Sequence, residues 1–102
     1  MYKIEYLLAA LQDMTGIVSY ISRKLCNPDA AENLAGKLVG AADMLADFPY
    51  ANPLYIPIKP LRYEYRKLLV ENYIMFYRVD ELAKTVTIAR VIYSGRDYVK
   101  LL

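Results

Sequence analysis

The sequence contains no histidine and only one cysteine, Cys26, in 102 residues. Without histidine the usual proton shuttle at neutral pH is missing. Ser–His–Asp triads, Cys–His proteases and zinc hydrolases are excluded with it. Any acid–base work falls to Tyr, Lys, Arg, Asp or Glu. A lone cysteine precludes an internal disulfide framework and fits a reducing, cytoplasmic compartment. Charged or polar residues interrupt every apolar run, so no segment offers the ~20 residues of a membrane span. The start, Met1-Tyr2-Lys3-Ile4-Glu5, lacks the pattern of a secretory leader. The expectation is one domain with no membrane, no metal and no cofactor.

What is present is unevenly distributed. Hydrophobic residues make up 57% and charged residues 24% of the chain, too apolar for disorder and too charged for a membrane protein. Residues 1–55 carry a net charge of −2, and residues 56–102 one of +4. Eight of the eleven tyrosines lie at or beyond Tyr50. A basic, aromatic half is the composition of a nucleic-acid surface. Tyrosine is equally at home in half-buried strands, and that reading is preferred for most of them.

The order of elements follows from periodicity. Residues 2–6 alternate apolar and polar, as in a short strand. Leu7, Leu11, Met14, Val18, Ile21 and Leu25 form one stripe of a helix over residues 8–25. Asn27-Pro28-Asp29 provides a cap, a first-turn proline and a favourable charge at the start of a second helix. Its stripe is Ala31, Leu34, Leu38, Ala41, Ala42 and Leu45. Pro49, Pro53, Pro57 and Pro60 then enforce a loop. Residues 62–70, 73–80 and 85–93 read as strands joined by hairpins at 71–72 and 81–84. The expected fold is α+β, in the order β-α-α-β-β-β. An antiparallel sheet carries the helical hairpin on one face.

The two-residue turn pairs Val70 with Tyr73 and Arg66 with Tyr77. The second turn pairs Tyr77 with Ile88. Alternation then puts Leu68, Val70, Tyr73, Met75, Tyr77, Val79, Val86, Ile88 and Ile92 under the helices. The opposite face would hold Tyr63, Tyr65, Lys67, Leu69, Ile74, Phe76, Arg78, Thr87, Ala89, Val91 and Tyr93. No third layer is expected in so short a chain to cover it. An open mixed face of this kind meets a partner. Arg90, near an edge, is expected to pair with a helix carboxylate.

These residues resemble a known family. Asn27-Pro28-Asp29-Ala30-Ala31, Phe48-Pro49, the run from Tyr65 to Val79, and Val91-Ile92-Tyr93-Ser94-Gly95-Arg96-Asp97 together resemble the RelE/ParE superfamily of bacterial type II toxin–antitoxin toxins. The resemblance implies a toxin neutralised by a cognate antitoxin. It leans towards cleavage of mRNA on the ribosome. The alternatives are a ParE-like DNA gyrase inhibitor without catalysis, or a non-toxic protein-binding relative. Aligned on Tyr73, Lys67 and Arg96 fall on basic positions of the ribonuclease cluster. Ile74 stands where that cluster has its central arginine, and Tyr65 where it has a second lysine. The C-terminal tyrosine would fall near Leu102, leaving Tyr98 nearby. The resemblance thus implies Arg96, Lys67 and Tyr98 as catalytic residues. Arg78, Tyr65, Ile74, Tyr93 and Arg66 would contact the RNA or protein target. A tyrosine titrating near ~10 needs help to move protons at pH 7. The long helical hairpin is the ParE-like feature.

Overall fold

A computed structural model describes residues 1–57, 59–96 and 101–102. The elements are β1 (Lys3–Tyr6), α1 (Leu8–Ser19), a π-helical turn (Tyr20–Lys24), α2 (Pro28–Met44), β2 (Arg66–Val70), β3 (Tyr73–Asp80) and β4 (Thr85–Tyr93). The α+β order is as expected. The strands lie in the order β1-β4-β3-β2. β1 runs parallel to β4, so the sheet is mixed rather than wholly antiparallel. The other neighbours are antiparallel.

α2 starts as its sequence dictates. Asn27 Oδ1 accepts the Ala30 N–H at 3.2 Å, and Pro28 occupies the first turn. Ala31, Leu34, Leu38, Ala42 and Leu45 are buried, so the expected stripe faces the core. α1 differs. Its core-facing residues are Ala10, Met14, Ile17 and Ile21, still at spacings of four and three. Leu7, Leu11 and Leu25, expected in the stripe, are exposed. The α-helix also stops at Ser19, where the wider π turn carries the chain round to Cys26.

Both hairpin registers hold: Val70 faces Tyr73, Arg66 faces Tyr77, and Tyr77 faces Ile88. Residue 71 and residue 84, in the two turns, have φ of 55° and 51°. Beyond Ile88 the expected alternation breaks. Phe76 pairs with Arg90 while Tyr77 pairs with Ile88, so Ala89 is an extra residue in β4. This bulge reverses the phase of the strand's last third. Val91 therefore packs under the helices and Ile92 on the far face, the opposite of the expectation. Tyr93 lies opposite Tyr73, on the helix side.

The far face is also covered. Ile74, Phe76 and Ile92 form a second buried cluster closed by Tyr55 from the proline-rich loop and by Leu101 and Leu102. Ile74 is 5% exposed and Phe76 0%, whereas neighbouring Leu69 is 67% exposed. The loop is tied down by backbone hydrogen bonds from Tyr55 N to Tyr65 O (2.8 Å) and from Lys67 N to Pro53 O (3.1 Å). β2 begins only at Arg66, four residues later than the sequence pattern implies, because residues 62–65 turn against this loop.

Candidate functional site

The bulge that shifts β4 also creates its edge chemistry. β1 pairs with residues 85–88 only, leaving the upper part of β4 at an edge. Asp13 of α1 fills that gap. It accepts the Val91 N–H at 3.0 Å and two bonds from Arg90, at 2.7 and 2.9 Å. Arg90 also donates to the Leu101 carbonyl at 3.1 Å. The Asp13 carboxylate raises the Arg90 guanidinium above its ordinary pKa. This fork-to-carboxylate pair is largely shielded, and it blocks an otherwise pairable edge. Arg90 thus has the structural role expected of it.

Arg66, Arg78 and Arg96 divide between two cavities. A groove of about 520 Å³ lies between α1 and the upper end of β4, lined by Tyr20, Tyr73, Tyr93 and Arg96. The turn at its rim is closed by Ser94 N donating to Asn72 O (2.8 Å) and Arg96 N to Tyr93 O (3.0 Å). A Cβ on Gly95 would stand 2.5 Å from the Tyr93 ring, so a larger residue there would displace that ring. Tyr73 and Tyr93 meet edge to face at 6.0 Å. Burial, followed by the neighbouring phenols Tyr93 and Tyr20, pushes the Tyr73 hydroxyl up, away from easy proton release.

The second cavity, about 750 Å³, lies at the β3–β4 turn and is lined by Arg66, Arg78, Tyr50 and Tyr63 among others. Arg78 stacks on the Tyr63 ring, 3.9 Å from its centroid. Arg66 donates to the Asn52 carbonyl at 2.7 Å and lies 4.9 Å over Tyr50. Tyr65 is buried, edge-on to Tyr63 at 6.4 Å. Below it, the Glu81 carboxylate accepts from Tyr2 (2.6 and 2.8 Å), Tyr50 (2.7 Å) and Lys84. These donors, Lys84 first, pull Glu81 down to about 2, and the carboxylate in turn lifts Tyr50 to about 12.

The residues singled out from sequence are therefore not gathered. Arg66 and Arg78 share one cavity and Arg96 lines the other. Lys67 lines neither of these two. It pairs across to Phe76 on the far face of the sheet, whereas Tyr93 sits on the helix face. Ile74 is buried under the loop and the last leucines, so the expectation of an open apolar patch there is corrected. Tyr98 lies outside the described residues. Sequence reading missed Asp13 as the carboxylate that organises the β4 edge. Its signal was present, as it is the only charged residue in α1. A third, apolar groove of about 540 Å³ runs between the helices, lined by Leu11, Met14, Val18, Leu38 and Val39. Among the described residues no three of His, Cys, Asp or Glu form a metal-binding group. No described helix is long and apolar enough to cross a membrane.

Residues 4–98 match the model of the ParE toxin of the type II toxin–antitoxin system parDE. The chain belongs to the ParE toxin family. Solved structures agree on the fold. The chromosomal ParDE system from P. aeruginosa superposes with a TM-score of 0.69 at 18% identity, over 91% of this chain and 96% of that one. The RelBE2 toxin–antitoxin complex from Mycobacterium tuberculosis gives 0.65 at 18% identity, over 90% and 96%. The E. coli RelBE complex gives 0.57 at 21%, over 94% and 100%. No curated protein matches by sequence. The RelE/ParE resemblance read from the sequence is thus correct, and this ParE-family chain is a toxin of a type II toxin–antitoxin system.

Proposed function

We propose that this toxin arrests growth by holding a protein target, DNA gyrase, rather than by cleaving mRNA on the ribosome. The observation that carries this reading is the dispersal of the basic side chains. Cleavage by the 2′-oxygen needs donors converging on one phosphate, with a base and an acid beside them. Here Arg78 and Arg96 line different cavities at opposite ends of the sheet, and Ile74, aligned with the central arginine of the ribonuclease cluster, is buried. A binding toxin needs only a complementary surface. The lean drawn from sequence alone therefore reverses.

The cognate antitoxin is the second partner. Leu8, Leu11, Val39 and Met44 are exposed on the helical hairpin around its apolar groove. That surface, rather than the buried Ile74–Phe76 face, suits the apolar side of an amphipathic antitoxin segment. Arg23 and Lys24 at the end of the π turn suit its acidic side.

Ribosome-dependent mRNA cleavage remains the second reading, favoured by one observation. Arg96 lines a groove with three phenols, a charge-stabilising donor beside proton-bearing groups. The deciding experiment adds purified toxin to a DNA gyrase supercoiling assay, with and without the product of the adjacent reading frame. Inhibition relieved by that product supports the proposal. Undisturbed supercoiling at stoichiometric excess overturns it.

A further inference from the structure

The cavity at the β3–β4 turn has a composition that the toxin reading does not use. Arg78 lies over the Tyr63 ring at 3.9 Å, and Arg62, which lines a neighbouring cavity, lies over the same ring at 5.3 Å. Neither guanidinium has a carboxylate within ion-pair distance among the described residues, nor does Arg66. A stacked guanidinium has its face occupied and its orientation fixed. Its N–H edge remains a preorganised fork for a planar oxyanion.

The rest of the lining decides which oxyanion. Glu5, Glu64, Asp80 and Glu81 border the same cavity as Arg66 and Arg78. Glu81 is engaged by Tyr2, Tyr50 and Lys84, and Glu5 pairs with Lys3 at 3.2 Å. Asp80 accepts the Ala83 N–H at 3.1 Å and lines the cavity. A continuous polyanion such as RNA meets repulsion from these carboxylates wherever it leaves the arginines. A peptide that alternates charge does not: its carboxylate takes the Arg78 fork and its neighbouring ammonium faces Glu64 and Asp80. Like-charge juxtaposition is a strong filter against the wrong partner.

We propose that the Arg62–Tyr63–Arg78 stack is a peptide-recognition site. It takes a mixed-charge segment of a protein partner through a carboxylate seated on the Arg78 fork. The site is at the opposite end of the sheet from Arg96 and does not depend on whether gyrase or the ribosome is the target.

The test is an NMR titration of the full chain that follows the arginine Nε–H signals. The probes are an N-acetylated octapeptide alternating Glu and Lys and an eight-nucleotide uridine RNA. The peptide is expected to shift the Arg78 signal. Arg78→Gln should bind it roughly tenfold more weakly, the scale of one charge-assisted hydrogen-bonded pair. Arg78→Lys, which keeps the charge but not the fork, should also weaken it. RNA at the same concentration should leave Arg78 unmoved. The proposal is overturned if the peptide produces no shift, if Arg78→Gln binds it as well as the parent, or if RNA moves Arg78 at least as far. None of these outcomes bears on gyrase inhibition, which is read separately.

Discussion

The two faces of the sheet are buried by different means. On one face, two helices present a periodic stripe to Met75, Tyr77, Val86, Ile88 and Val91. On the other, irregular backbone does the covering: Tyr55 from a loop, and Leu101 and Leu102. Adjacent residues of β3 show the contrast. Tyr77 and Phe76 are both 0% exposed, one under each cover. The helical cover is fixed by its own hydrogen bonds, and the Tyr77 hydroxyl beneath it donates to Pro49 O at 2.8 Å, in the segment that follows α2. The loop cover is held by a few backbone bonds and can follow a cavity inwards. Equal burial therefore does not mean equal rigidity.

Replacing each of the pair tests this contrast most strongly. Tyr77→Ala is expected to cost about 3–5 kcal/mol in urea unfolding, since the helices cannot collapse and a buried donor partner is lost. Phe76→Ala should cost less, about 3 kcal/mol, because the loop can move in. Equal costs would break the comparison. Asp13→Ala comes next. It strands a shielded Arg90 and the Val91 N–H, at about 2–3 kcal/mol by the same measurement. Cys26→Gly should stabilise by about 1 kcal/mol, because residue 26 holds φ at 50° on an exposed turn.

The smallest effect appears only in pH dependence. Glu81 is held to about 2, below its ordinary 4.5. Its contribution is present above pH 4.5 and is lost as pH falls towards 2. Tyr50, raised from 10.0 to about 12, contributes below pH 10 and loses that contribution as pH rises through 12. Glu81→Gln should flatten both limbs of the melting temperature against pH. An unchanged profile would show the cluster to be passive.

The helix-covered face was legible because its rules are local. Asn27-Pro28-Asp29 specified where α2 begins, and two short turns specified three residue pairings across two strand pairs. The far face was not legible, since Tyr55, Leu101 and Leu102 carry no periodicity to announce that they close it. Nor was the bulge at Ala89, because the run Ile88-Ala89-Arg90-Val91-Ile92 is apolar in either phase. Only the placement of Arg90 at an edge, beside a lone helix carboxylate, records the shift. The bulge moved Tyr93 to the helix side, and the loop and the last leucines closed the expected patch at Ile74.

Binding without cutting is the proposed mode of action. Its most direct test is to express the toxin without its antitoxin and map the 5′ ends of ribosome-bound mRNA at growth arrest. The account predicts arrest with no new 5′ ends. New ends that appear with the parent protein and vanish with Arg96→Ala would contradict it.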